Sequence, residues 1–165
     1  MSEESEKEEK VGGSAGNSKN PDRDSRQRIL IVDDEEDVTF FLKEALEDYG
    51  GFEVVTFNDP LLALSNFDNS SSKNKASNGQ YDLILIDIKM PKMDGFKLYQ
   101  ELQKKTNVRG YHGKKPKVCF MTAFEVYFEA LKELFPDSYS SVCFIKKPSS
   151  AHDLVKRITK EMSAS

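Results

Sequence analysis

The sequence predicts an α/β fold built on a mostly parallel sheet, and three observations carry that expectation. From Arg28 onward, short unbroken apolar runs alternate five times with amphipathic stretches, the rhythm of repeated βα units. The runs at 29–32, 83–86 and 118–121 show no polar alternation, as befits strands covered by helices on both faces of a sheet. A length of 165 residues accommodates one such domain, read over 28–165, and a tail over 1–27.

In the tail, Glu3, Glu4, Glu6, Glu8 and Glu9 alternate with Lys and Ser, and Gly12, Gly13 and Gly16 follow. Such a segment has too little apolar surface to offset the entropy of ordering and is expected to be disordered. Its glycines neither follow a strand nor precede Lys-Ser or Lys-Thr, so they do not form a phosphate-cradling loop. After the strand at 29–32, Val38, Phe41, Leu42, Ala45, Leu46 and Tyr49 form one helical stripe, stopped by Gly50-Gly51. A strand at 52–57 leads to a short helix opened by Asp59-Pro60 and carrying Leu61, Leu62 and Leu64. Residues 68–80 (DNSSSKNKASNGQ) read as a mobile polar insert.

The strand at 83–86 precedes a helix capped by Asp94, with Phe96, Tyr99 and Leu102 facing inward. Residues 104–117 hold six basic side chains and no acid, read as a solvated loop in preference to a docking patch. The strand at 118–121 is followed by a helix marked by Phe124, Phe128, Leu131 and Leu134 and ended by Pro136. A strand at 142–145 and a helix from Ser150, with Leu154, Val155, Ile158 and Met162 as its apolar face, complete the pattern.

The chain is 38% hydrophobic and 32% charged, enough apolar material for one core. No apolar run approaches the roughly 18 residues that span a bilayer, and the Glu-rich start is the opposite of a secretory signal, so a cytoplasmic protein without membrane contact is expected. A net charge of −4 argues against nucleic acid as a partner. Cys119 and Cys143 lie inside apolar runs, where thiols act as small buried hydrophobes, and no disulfide is expected between them. His112 and His152 read as solvated side chains, not phosphoryl carriers.

In an open parallel sheet, ligands bind beyond the carboxyl ends of the strands. There the first strand ends in Asp33-Asp34, the third in Asp87, the fourth in Thr122 and the fifth in Lys147-Pro148. Each has an ordinary explanation alone: the acids next to Glu35, Glu36 and Asp37 suit a helix N-terminus, and Thr122 suits a cap. Together they form a cluster. Three carboxylates within several ångströms repel by a few kcal/mol per pair at an effective dielectric near about 20, so a compensating cation is expected. Hard oxygen donors suit Mg²⁺, which points to phosphoryl chemistry with an Asp oxygen as nucleophile.

The motifs ILIVDD (29–34), LILIDIKMPKMDG (83–95), MTA (121–123) and KP (147–148) occur in one order along the chain. With them, residues 28–162 strongly resemble the receiver domain of response regulators, the phosphoacceptor half of two-component signalling. That resemblance implies a flavodoxin-like, doubly wound sheet of order 2-1-3-4-5 with five helices. It implies that Asp87 becomes the aspartyl phosphate, that Asp33, Asp34, Asp87 and the backbone carbonyl of Lys89 hold Mg²⁺, and that Lys147 pairs with the phosphoryl group. Thr122 is the implied switch hydroxyl and Phe144 the implied switch aromatic. Pro148 holds the following turn, with a cis peptide after Lys147 as one option.

Two departures stand out. Lys89 and Phe124 lie two residues beyond Asp87 and Thr122, where this family's side chains govern water access; bulky Phe124 is expected to slow phosphoryl loss, and Lys89 to compete for the acidic pocket. The implied function is a signalling switch, not an enzyme, in a phosphorelay: a histidine kinase or histidine phosphotransfer protein donates to Asp87, and the face of the fourth helix, fifth strand and fifth helix changes its binding of an output protein. Only Ser-Ala-Ser follows Met162, so a stand-alone receiver is expected. The alternatives are a pseudo-receiver that binds partners without phosphorylation, and a Mg²⁺-dependent phosphatase of haloacid dehalogenase type, which needs an Asp where Lys89 stands.

Overall fold

In the computed structural model, the described residues are 26–70, 81–107, 115–123, 142–148 and 150–163. Five strands, β1 (Arg28–Val32), β2 (Glu53–Phe57), β3 (Leu83–Asp87), β4 (Lys117–Thr122) and β5 (Val142–Lys146), form one sheet of order β2-β1-β3-β4-β5. Every pairing is parallel. The helices are α1 (Glu36–Asp48), α2 (Pro60–Ser70), α3 (Gly95–Thr106) and a C-terminal helix (Ala151–Ser163). The expected helix around Phe124 to Leu134 lies outside the described residues, as do the tail through residue 25, His112 and most of the polar insert. Among the described residues, no helix is long and apolar enough to cross a membrane.

Strand alternation splits the core into two layers. Ile29, Ile31, Leu83, Leu85 and Met121 face α1 and the C-terminal helix, whose Leu42, Leu46, Leu154 and Ile158 are all but inaccessible. Leu30, Val32, Ile84, Ile86 and Phe120 face α2 and α3, meeting Ala63, Phe67, Leu98 and Tyr99. Phe120 carries the aromatic contacts of that second layer, with Phe96 at 4.9 Å, Tyr99 at 5.5 Å and Phe144 stacked at 5.7 Å between ring centroids. The helix ends follow local chemistry. Asp94 Oδ1 accepts from the Lys97 N–H at 2.8 Å, Ser150 Oγ accepts from the Asp153 N–H at 3.1 Å, and Gly51 leaves α1 at φ +68°, a conformation costly for side chains with a Cβ.

Four readings change. Cys119 and Cys143 are disulfide-bonded: they are register partners in β4 and β5, with Cα atoms 4.4 Å apart, within the span a disulfide bridges. The Lys147–Pro148 peptide is trans, since no described peptide is cis. Helix α2 runs on to Ser70, past Asp68 where the insert was placed. Its buried face is also shifted. Starting at Pro60 sets its phase so that Pro60, Ala63 and Phe67 point inward with Leu64 packed beside them, leaving Leu61 and Leu62 exposed. The same holds at the edges of α1, where Phe41 is partly and Tyr49 largely exposed. Leu62→Gln is therefore expected to change the unfolding free energy by less than about 0.5 kcal/mol, measurable by urea titration, the usual result for an exposed position.

Candidate functional site

The carboxyl ends of β1 and β3 lie side by side where the strand order reverses, the crevice in which open α/β sheets bind ligands. Asp33 follows β1, Asp87 ends β3, Thr122 ends β4, and Lys147 follows β5. Oxygens of Asp33, Asp34 and Asp87 all lie within 4.8 Å of one another. Asp33 is fully buried, Asp87 and Thr122 are nearly so, and Asp34 is half-buried.

Lys147 brings the cation. Its Nζ lies 2.9 Å from Asp33 Oδ2, 3.2 Å from Asp87 Oδ1 and 2.8 Å from Glu35 Oε1. Its backbone N–H donates to the Thr122 carbonyl at 2.9 Å, which fixes β5 against β4 at this level. Along β5, Ile145 points in, Lys146 points out, and Lys147 turns to the pocket, which settles which of the adjacent lysines belongs to it. Lys89 is exposed, and Phe124 lies outside the described residues.

Burial sets the charge states. Removal from water, reinforced by the charge of Asp33 and only partly offset by Lys147, pushes the Asp87 carboxyl up to about 6. Burial also raises Asp33, against the opposing Lys147 ammonium and the Glu35 N–H. For Lys147, burial disfavours the ammonium, but the adjoining carboxylates of Glu35, Asp33 and Asp87 outweigh it, and the amine is held above the usual lysine range. Asp87 is thus ionised at neutral pH while remaining a stronger base than an exposed aspartate.

Asp33 Oδ2 is buried and is met by the Lys147 ammonium as an ion pair at 2.9 Å, with no hydrogen bond to it among the described residues. A buried carboxylate oxygen with free lone pairs, beside two further carboxylates, fits a hard divalent cation such as Mg²⁺. The loop after β3 is shaped around the same point. A Cβ on Gly95 would stand 2.2 Å from the Asp87 carbonyl oxygen, so only glycine lets α3 begin this close to the end of β3. The Gly95 N–H donates to the Ile88 carbonyl at 3.0 Å, and Lys92 adopts φ +68° between them. Phe144, half-buried, leans on Phe120 from the adjacent strand.

The sequence reading brought Asp33, Asp34, Asp87, Thr122 and Lys147 to one edge, and the structure gathers them there. It missed two contributors. Glu35, grouped with the acids of the helix start, makes no side-chain cap and pairs instead with Lys147. Asn58, in the turn after β2, donates to the Asp33 carbonyl.

The family model for the response regulator receiver domain matches residues 29–159, and the chain belongs to that family, a family of two-component signalling switches. Among its curated relatives, the transcriptional regulatory protein PcoR of Escherichia coli is 31% identical over 134 residues, covering 80% of this chain and 50% of PcoR. The transcriptional regulatory protein RprY of Bacteroides fragilis is 32% identical over 139 residues, covering 83% of this chain and 50% of RprY. The chain spans half or less of the length of these relatives and of the Rhodospirillum rubrum protein-glutamate methylesterase it also matches. Among solved structures, the response regulator TrrA of Thermotoga maritima, in complex with Mg(2+)-BeF, superposes with a TM-score of 0.61 at 29% identity, covering 81% of this chain and 97% of that one.

Proposed function

We propose that this receiver accepts a phosphoryl group on Asp87 from a histidine kinase or histidine phosphotransfer protein and changes its binding of an output protein in response. The observation that carries the reading is the single ammonium of Lys147 set between the buried carboxylates of Asp33 and Asp87. An Asp87 oxygen attacks phosphorus, the bond from phosphorus to the donor breaks, and the electron pair leaves with the donor. Lys147 turns from the carboxylate toward the charge on the transferred group, and the Thr122 hydroxyl donates to one of its oxygens. Asp33 and Asp34, with Asp87 and the Lys89 carbonyl, would hold Mg²⁺. When bound, that ion neutralises the carboxylates and the incoming phosphoryl oxygens.

Phosphorylation replaces the carboxylate charge of Asp87 with the larger negative charge of the phosphoryl group and redirects Lys147 and Thr122, at the ends of β5 and β4. Phe144 lies two residues before Lys146 on β5, so the change reaches the surface formed by β5 and the C-terminal helix, the face proposed to bind partners. Residues 28–165 would form the receiver, preceded by the acidic and polar tail over 1–27, in the cytoplasm. Incubation with acetyl phosphate and Mg²⁺, followed by intact-protein mass spectrometry, is expected to show one added phosphoryl group per chain, and none when EDTA replaces Mg²⁺. Full modification in EDTA, or none in Mg²⁺, would contradict this.

A further inference from the structure

Asn58 faces solvent for the most part, yet its amide turns inward. Nδ2 lies 2.8 Å from the Asp33 carbonyl oxygen and 2.9 Å from Thr39 Oγ1. Chemistry settles the direction of each bond. A carbonyl only accepts, so it must meet an amide N–H; the Thr39 hydroxyl spends its hydrogen on the Glu36 carbonyl at 2.9 Å, so its oxygen accepts the second N–H of Asn58. Thr39 and Asp33 are both buried, so neither acceptor has water as a substitute.

Asp33 is thereby held on three sides. Its N–H donates to the Phe57 carbonyl at 3.2 Å, its Oδ1 accepts the Glu35 N–H at 3.0 Å, and its carbonyl is held by Asn58. That carbonyl belongs to the planar unit joining Asp33 to Asp34, so the bond sets the rotation of the plane from which Asp34 departs. The same turn ties Asp59 to Lys92 in the loop after β3, but ion pairs between exposed side chains contribute little.

We propose that Asn58 is a positioning residue that sets the spread of the Asp33 and Asp34 carboxylates and through it the affinity of the pocket for Mg²⁺; this rests on the reading of the site given above. The partner that orients a ligand from behind typically changes metal affinity by about 10-fold or more. Calorimetric titration of MgCl₂ into the unphosphorylated full chain is expected to show about 10-fold weaker binding in Asn58→Ala. Thr39→Val, which removes the acceptor on which the Asn58 amide is anchored, weakens binding in the same direction, and Thr39→Ser, which restores it, returns to the wild-type value.

Phosphorylation by acetyl phosphate in Asn58→Ala should need more Mg²⁺ yet reach the wild-type maximal rate. A merely structural Asn58 would lower the metal-free melting temperature and leave the Mg²⁺ constant where it is, which overturns the inference. Should Asn58→Ala not fold, Thr39→Val decides on the same criterion. A wild-type chain that binds no Mg²⁺ takes down the reading of the site and this inference together, whereas equal binding by wild type and variant overturns the inference alone.

Discussion

Asp87→Asn is expected to abolish phosphoryl uptake and, in metal-free buffer at pH 7, to make the protein more stable than wild type. The two results have one cause. The Asp87 carboxyl sits at about 6 in the folded chain against 3.8 for an unperturbed aspartate, because burial and the Asp33 charge oppose its ionised form. Between those values the native state holds more protons than the unfolded state, so stability falls as pH rises from about 4 to about 6 and stays low above that. A shift of about two units corresponds to at most about 3 kcal/mol, and an amide that cannot ionise avoids that cost. The gain of about 1–3 kcal/mol should appear as a melting temperature several degrees higher at pH 7, shrink below about pH 6 and vanish near pH 4. A variant that melts lower than wild type at pH 7 in EDTA would contradict this picture of a pocket that keeps its nucleophile at the expense of stability.

Lys147→Met produces the opposite change. The substitution preserves much of the length and apolar stem of the side chain but removes the ammonium that lies within 3.2 Å of both Asp33 and Asp87. Deleting one partner of a buried ion pair commonly costs about 3–5 kcal/mol, because the remaining charge is left without compensation. Here the carboxyls can take up protons and Glu35 is exposed, so a loss of about 2–4 kcal/mol is expected in EDTA. Mg²⁺ should recover a larger share of stability in the variant than in wild type, since a second cation then meets acids that have lost their first. Lys146→Met, one residue away with an exposed side chain, should stay within about 0.5 kcal/mol of wild type. Equal melting of Lys147→Met and wild type in EDTA would show that the ammonium does not balance the carboxylates.

Much of this was legible in the sequence because apolar runs and strand ends are local features. Residues 29–32, 83–86 and 118–121 marked buried strands by composition alone, and residues at their carboxyl ends had to share one edge once the strands were parallel. Lys147 could be told from Lys146 by alternation along β5. What depends on register or helix phase was not legible. Cys119 and Cys143 are 24 positions apart, and nothing in either neighbourhood shows that they are opposite one another. Leu61 and Leu62 are as apolar as the residues α2 buries, but Pro60 sets the first turn so that Ala63 and Phe67 point inward and these two leucines outward. Asn58 carried no spacing signal, since a lone asparagine in a turn is ordinary and its role appears only when its amide is seen to cross to the end of β1. Gly95 followed a motif whose physical reason, the closeness of the Asp87 carbonyl, is visible only in three dimensions.

The most direct test locates the phosphoryl group itself. An acyl phosphate is reduced by borohydride, which converts the aspartate carbonyl to the alcohol of homoserine and releases phosphate, leaving a stable mark in a proteolytic peptide. After treatment with acetyl phosphate and Mg²⁺, the mark is expected at residue 87 alone and is absent in Asp87→Asn. A mark at Asp33, Asp34 or any other carboxylate of the wild-type chain, or its persistence in Asp87→Asn, would contradict the assignment.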